Sequence, residues 1–269
     1  MANPPADWIK SAVKITPGFE VAGDPYMGAS GNFDGMGISC GALQWNIGQN
    51  SLQPMVKAVG QPVVLAAMPT YGAQIWAACT GTVRNGLAIV NGWQNGKALK
   101  PVAKAELRAL MGGTAMRAQQ DKVIGEVAGR AHAGATAWAR GYDDGTPSKR
   151  LFCWFFDIIT QNGGLETLSP QRVKDFIAAN SPDHADDVIC DFLAAVKGTA
   201  GHVKDANKNG LLWRNKPDAE QMMVLVMSYL RSNTANPKWQ HVVLNRKGTI
   251  AMGEGWVNGA KWDFSSEGL

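Results

Sequence analysis

With 269 residues, 45% of them hydrophobic, and ten tryptophans, the chain has apolar mass for a real core and a length that suits one large domain or two small ones. Lys and Arg number 26 against 22 Asp and Glu, a net charge of +4, but the cations are scattered singly, so no basic stripe points to nucleic acid. No window approaches the roughly 18 uninterrupted apolar residues of a membrane-spanning helix, and Met-Ala-Asn-Pro-Pro at the start lacks the basic stretch and apolar run of a secretory signal.

In chain order, residues 6–14 read as a short amphipathic helix ended by Thr16-Pro17-Gly18. Residues 19–50 are crowded with Gly, Asn and Asp and form loop and β-hairpin territory. Helical patterns follow over 52–59, 62–68, 72–79, 103–111 and 114–139. The last is long, and its small residues at 128, 131, 133 and 135 let neighbouring elements approach closely. Residues 151–161 are apolar nearly all round, a buried helix capped by Asn162-Gly163-Gly164, with Asp157 the odd member. Helices are expected at 169–179, 184–197, 218–231 and 238–245, and the glycine-spaced tail over 249–264 reads as a closing hairpin. No linker divides the chain, so the expectation is one domain over 1–269, with 19–50 as its active-site region.

The chemistry concentrates near the start. Glu20 precedes Gly31-Asn-Phe-Asp-Gly-Met-Gly-Ile-Ser-Cys-Gly-Ala-Leu-Gln-Trp-Asn46, whose glycines at 35, 37 and 41 permit tight turns while Ile38 and Leu43 anchor a short β segment. Glycoside hydrolysis needs a carboxylic acid that stays protonated near neutrality and a second carboxylate or positioned water across the sugar. Glu20 fits the first role, with Ile15, Phe19 and Val21 expected to desolvate it. Asp34 fits the second, although Asp before Gly is also an ordinary turn residue. Asp24, Tyr26, Ser39, Gln44, Trp45, Asn46, Gln161 and Asn162 offer the hydroxyls, amides and aromatic faces that suit a sugar.

Other features read as structural. Asp157 is expected to be a satisfied core carboxylate, bonded to a helix end or to an Arg of the long helix. Cys40, Cys79, Cys153 and Cys190 are widely spaced and read as core thiols, or as one or two disulfides in an oxidising space. The run Asp205-Ala-Asn-Lys-Asn-Gly210 begins like a calcium loop, but Lys216 stands where a bidentate Glu is needed. His132, His184, His202 and His241 show no metal-pair spacing, so neither metal nor cofactor is expected.

The pattern Gly37-Ile-Ser39-Cys-Gly41-Ala-Leu-Gln44 after Glu20 resembles the lysozyme-like superfamily, which includes goose-type lysozymes, lytic transglycosylases and family 46 chitosanases. Together with Cys153-Trp-Phe-Phe-Asp-Ile-Ile-Thr-Gln-Asn-Gly-Gly164, the segment is most similar to muramidase domains of bacterial type VI secretion effectors. The resemblance implies a mainly α (α+β) fold, a helical domain with a small β-hairpin flanking the active-site cleft. It also implies a peptidoglycan hydrolase that cleaves the β-1,4 glycan with Glu20 as acid and Asp34 as candidate partner. Such a protein is made in the cytoplasm without a signal peptide and delivered as an antibacterial toxin to a target periplasm. Its partners are glycan strands and a cognate immunity protein, with a monomer as the default state. Pro17-Gly18 is expected to break the helix that carries the acid in relatives. The alternatives are a chitosanase, a lytic transglycosylase needing only Glu20, an amidase or peptidase pairing Cys40 with His132 or His184, and a noncatalytic module gripping sugar through Trp45 and Gln44.

Overall fold

A computed structural model describes residues 3–20, 23–215 and 217–269. Met1 and Ala2, Val21 and the twelfth position of the calcium-like run, Lys216, therefore lie outside the described residues. The protein is mainly helical, with thirteen α-helices and three small antiparallel sheets among the described residues. None of these helices is long and apolar enough to cross a membrane.

After α1 (Ala6–Gly18) come the short strands β1 (Ala29–Ser30), β2 (Ser39–Cys40) and β3 (Trp45–Asn46), then α2 (Gln53–Val59), α3 (Gln61–Ala67), α4 (Gly72–Thr80) and α5 (Val83–Asn91). The chain continues through the hairpin β4 (Gln94–Asn95) and β5 (Ala98–Leu99), α6 (Pro101–Gly112), the long α7 (Thr114–Asp143), α8 (Lys149–Asn162), α9 (Pro170–Asn180) and α10 (Ala185–Ala195). It ends with α11 (Gly201–Leu212), α12 (Ala219–Ser232), α13 (Gln240–Met252) and the hairpin β6 (Glu254–Val257) and β7 (Ala260–Asp263). Two compact units result: one comprises the chain up to Phe19 and Val127–Leu269, the other Glu20–Glu126, with the division falling inside α7.

The first unit buries a charge cluster. Asp157 on α8 is fully buried and accepts from Arg246 Nε at 3.0 Å and Nη2 at 2.8 Å, and from Lys247 Nζ. Its partners come from α13, not from the long helix as expected. Burial pushes the Asp157 carboxyl up, but the two cations outweigh it and hold its pKa at about 2. Burial likewise draws Lys247 down to about 8 against the pull of Asp157.

Helix α13 extends to Met252, seven residues past its expected end, because the whole run Arg246–Met252 is buried. Gly248 permits this, since a Cβ there would lie 2.5 Å from the Trp213 ring. Gly253, at φ 78°, stops the helix and turns the chain into the β6–β7 hairpin. The calcium-like run lies on α11, a helix absent from the sequence expectation. There Asp205 accepts from Gly259 N–H and Asn209 bonds both N–H and C=O of Trp256, so these side chains tie the hairpin down.

Helix α1 also outlasts its expectation and runs through Pro17 to Gly18. Proline lacks the N–H of one intrahelical bond, a loss that tertiary contacts offset. Ile15, Thr16 and Pro17 are buried, the Thr16 carbonyl accepts from Arg246 Nη2 at 2.6 Å, and Phe19 packs edge-on against Trp262. In α7, the expected small-residue face is real within this unit, where Ala128, Ala131 and Ala135 are fully buried and Gly134 abuts the Phe155 ring.

Candidate functional site

The unit Glu20–Glu126 carries a cleft of about 470 Å³, within the usual size range of small-molecule sites. Its lining includes Glu20, Ser30, Phe33, Asp34, Ser39 and Gln44, together with Lys104 and Arg108 of α6. The single hairpin expected here is a three-stranded antiparallel sheet, β1-β2-β3, with Ser30 opposite Ser39 and Cys40 opposite both Ala29 and Trp45.

Buried contacts hold this sheet in place. Gln120 on α7, fully buried, accepts from Ala42 N–H at 3.1 Å and donates to the Met111 carbonyl at 2.8 Å, fastening the β2–β3 turn to α6. Gly41, at φ 72°, makes that docking possible, since a Cβ there would lie within 2.7 Å of Gln120 Oε1, the Met111 methyl and the Trp45 ring. Gln44, in the same turn, takes φ 56°, a left-handed conformation that costs an L residue roughly 1–2 kcal/mol.

The loop that bears Phe33 and Asp34 is clamped by amides from α5 and β4. Gln94 Oε1 accepts from Asn32 N–H at 2.6 Å, Gln94 Nε2 donates to the Gly37 carbonyl at 2.8 Å, and Asn91 Oδ1 accepts from Asn32 Nδ2 at 3.0 Å. Asn32 Oδ1 in turn accepts from Gly37 N–H at 3.1 Å and closes the loop on itself. Asp34 Oδ1 accepts from Met36 N–H at 3.0 Å, so the residue is both a turn former and a wall of the cleft.

Four expected site residues thus share one cleft: Glu20, Asp34, Ser39 and Gln44. Glu20 is exposed to solvent, whereas Ile15 and Phe19 are buried, so it is not sunk among them as expected; Val21 is outside the described residues. Asp24 and Tyr26 are not in the lining. Asp24 caps a 3-10 turn by accepting from Tyr26 N–H and pairs with Arg117, while the Tyr26 hydroxyl donates to Asp121. Burial and then the Asp121 bond push Tyr26 up to about 12.

Trp45 and Asn46 are buried rather than presented to a ligand. Trp45 packs beneath Gly41, and Asn46 organises the next turn by accepting from Gln49 N–H at 2.8 Å. Gln161 and Asn162 belong to the other unit, at the end of α8, where the Asn162 carbonyl accepts from Arg231. The sequence reading did not single out Phe33, 64% exposed, or the cations Lys104 and Arg108. The latter had a legible signal: with Ala103, Leu107, Leu110 and Met111 buried, positions 104 and 108 share another face of α6.

All four cysteines are free and buried, and burial is the main cause that pushes each thiol up to about 12. A Cys40 thiolate is thereby disfavoured at neutral pH, contrary to what the cysteine-dependent alternative requires. Its suggested bases are otherwise engaged: His132 packs against Trp8 and Phe152, and His184 lies 3.1 Å from Asp187. No group of three or more His, Cys, Asp or Glu among the described residues is arranged to hold a metal. No family model, curated protein or solved structure matches the chain.

Proposed function

We propose that the protein is a glycoside hydrolase of lysozyme-like fold that cuts the β-1,4 glycan of peptidoglycan. The observation that carries this reading is the presence of Glu20 and Asp34 in one cleft, flanked by the Ser30 and Ser39 hydroxyls, the Gln44 amide and the exposed Phe33 ring. That set supplies two carboxylates for the chemistry and neutral polar and aromatic groups for a sugar. Glu20 protonates the leaving glycosidic oxygen as its bond to C1 breaks. Asp34 stabilises the positive charge that develops at C1, and water supplies the new hydroxyl.

The cleft favours this activity over two others. A chitosanase binds a polycation, which Lys104 and Arg108 in the lining would repel. A lytic transglycosylase needs one acid, and the second carboxylate in the lining supports hydrolysis instead. The net charge of +4 suits an anionic cell wall. With the resemblance to type VI effectors, it supports an antibacterial toxin delivered to the periplasm of a target cell and restrained in the producer by an immunity protein.

Digestion of purified peptidoglycan by wild type and Glu20→Gln, read as release of new reducing ends, tests the assignment. Loss of a general acid lowers the rate by about 10²–10⁴-fold. Undiminished activity in Glu20→Gln would remove Glu20 from the mechanism. Glycan binding by wild type without any release would leave a noncatalytic glycan-binding module.

A further inference from the structure

Lys104 and Arg108 stand four residues apart on α6, so their side chains leave the same face of the helix one turn apart, and both line the cleft. Among the described residues neither enters an ion pair or a side-chain hydrogen bond. The one acid between them, Glu106, is buried on a different face and is occupied by the N–H groups of Thr70, at 3.0 Å, and Tyr71, at 2.9 Å. Two like charges at this spacing destabilise a helix, and among the described residues no acid pairs with either of them in return.

A neutral sugar gives these cations no counter-charge. Peptidoglycan differs from an unsubstituted β-1,4 glycan by its peptide branches, which carry free carboxylates close to the sugar ring. Resting on the glycan-hydrolase reading, we infer that Lys104 and Arg108 form an anion-recognising wall of the cleft that takes a carboxylate of the peptide branch. The protein then acts on glycan whose branch carboxylates are free in preference to the same glycan with those carboxylates converted to amides. Arg108 offers a planar fork to a carboxylate, and Lys104 adds a flexible point charge beside it.

The test uses one soluble peptide-bearing glycan fragment in two forms, with its branch carboxylates free and with them converted to amides. Each is titrated calorimetrically into wild type and into the double variant Lys104→Gln, Arg108→Gln, and each is also offered as substrate. Glutamine keeps helix propensity and removes the charge, and an unchanged Tm checks that α6 is intact. A charge-assisted bond predicts that wild type binds the free-carboxylate form at least about tenfold more tightly, and that the double variant reduces this ratio toward one. Equal binding of the two forms by wild type, or a ratio that survives the double substitution, overturns the inference. The two readings fail separately. Preferential binding that needs both cations but produces no cleavage keeps the anion wall and defeats the hydrolase, whereas cleavage of both forms with no preference keeps the hydrolase and defeats the wall.

Discussion

Asp157 and the pair Glu20 and Asp34 are carboxylates in opposite situations. Asp157 is fully buried and enclosed by Arg246 and Lys247, with every oxygen satisfied, whereas Glu20 and Asp34 are exposed at a cleft that Lys104 and Arg108 also line. The first is held in one ionisation state by its neighbours, as a structural ion cluster requires. The second pair is exposed in a cleft that a ligand can enter. A carboxylate inside a conspicuous motif is therefore assigned by what surrounds it, since Asp157 and Asp34 both lie in segments that carry the family resemblance.

The largest effect that sharpens this contrast is on stability. Asp157→Asn removes the carboxylate that Arg246 and Lys247 share and leaves Lys247 buried without it, which costs about 3–5 kcal/mol of unfolding free energy measured by denaturant titration. A loss under 1 kcal/mol would show that the cluster is not structural. The same cluster sets an acid limit. Because the folded Asp157 pKa lies near 2, below the ordinary carboxylate value, its contribution is fully present above pH about 4 and is lost as pH falls toward 2. That loss is on the order of 2 kcal/mol, read as the fall in denaturation midpoint between pH 5 and 2.5, and Asp157→Asn should lack this component.

A smaller effect separates the two roles of Asp34. Asparagine keeps the oxygen that accepts from Met36 N–H, so Asp34→Asn should leave stability within about 0.5 kcal/mol while cutting glycan cleavage at least tenfold. Asp34→Ala removes both charge and turn bond and should cost up to about 1 kcal/mol as well. Equal cleavage by wild type and Asp34→Asn, measured as initial rates, would make Asp34 a turn residue only and leave Glu20 as the sole acid.

Much of the helical order was legible because its boundaries are chemical. Gly163, in left-handed backbone, stops α8, and the all-round apolar face of residues 151–158 could belong only to a buried helix, whereas the stop of α13 at Gly253 went unread because the helix runs on through a buried, largely polar stretch. Helices α5 and α11 were not legible, since their sequences carry poor helix formers whose purpose is tertiary. Gly86 lies against the Ala78 carbonyl, Gly210 against that of Cys190, and Asn209 spends its amide on the β6–β7 hairpin. The acids of the cleft were legible because they lie fourteen residues apart around one turn-rich segment. The shared face of Lys104 and Arg108 on α6 was legible, but its place in the cleft was not, because α6 is fastened to the β2–β3 turn through the buried Gln120, far along the chain. Trp45 and Asn46 look like ligand-binding residues in a motif, yet sheet register and turn geometry bury them.

The most direct test of the central claim is digestion of peptidoglycan in water enriched in oxygen-18, with mass spectrometry of the soluble products. The account predicts fragments that end in reducing sugars carrying one heavy oxygen, formed by wild type and lost in Glu20→Gln. Heavy oxygen incorporated into released peptides, with the glycan left intact, would contradict it.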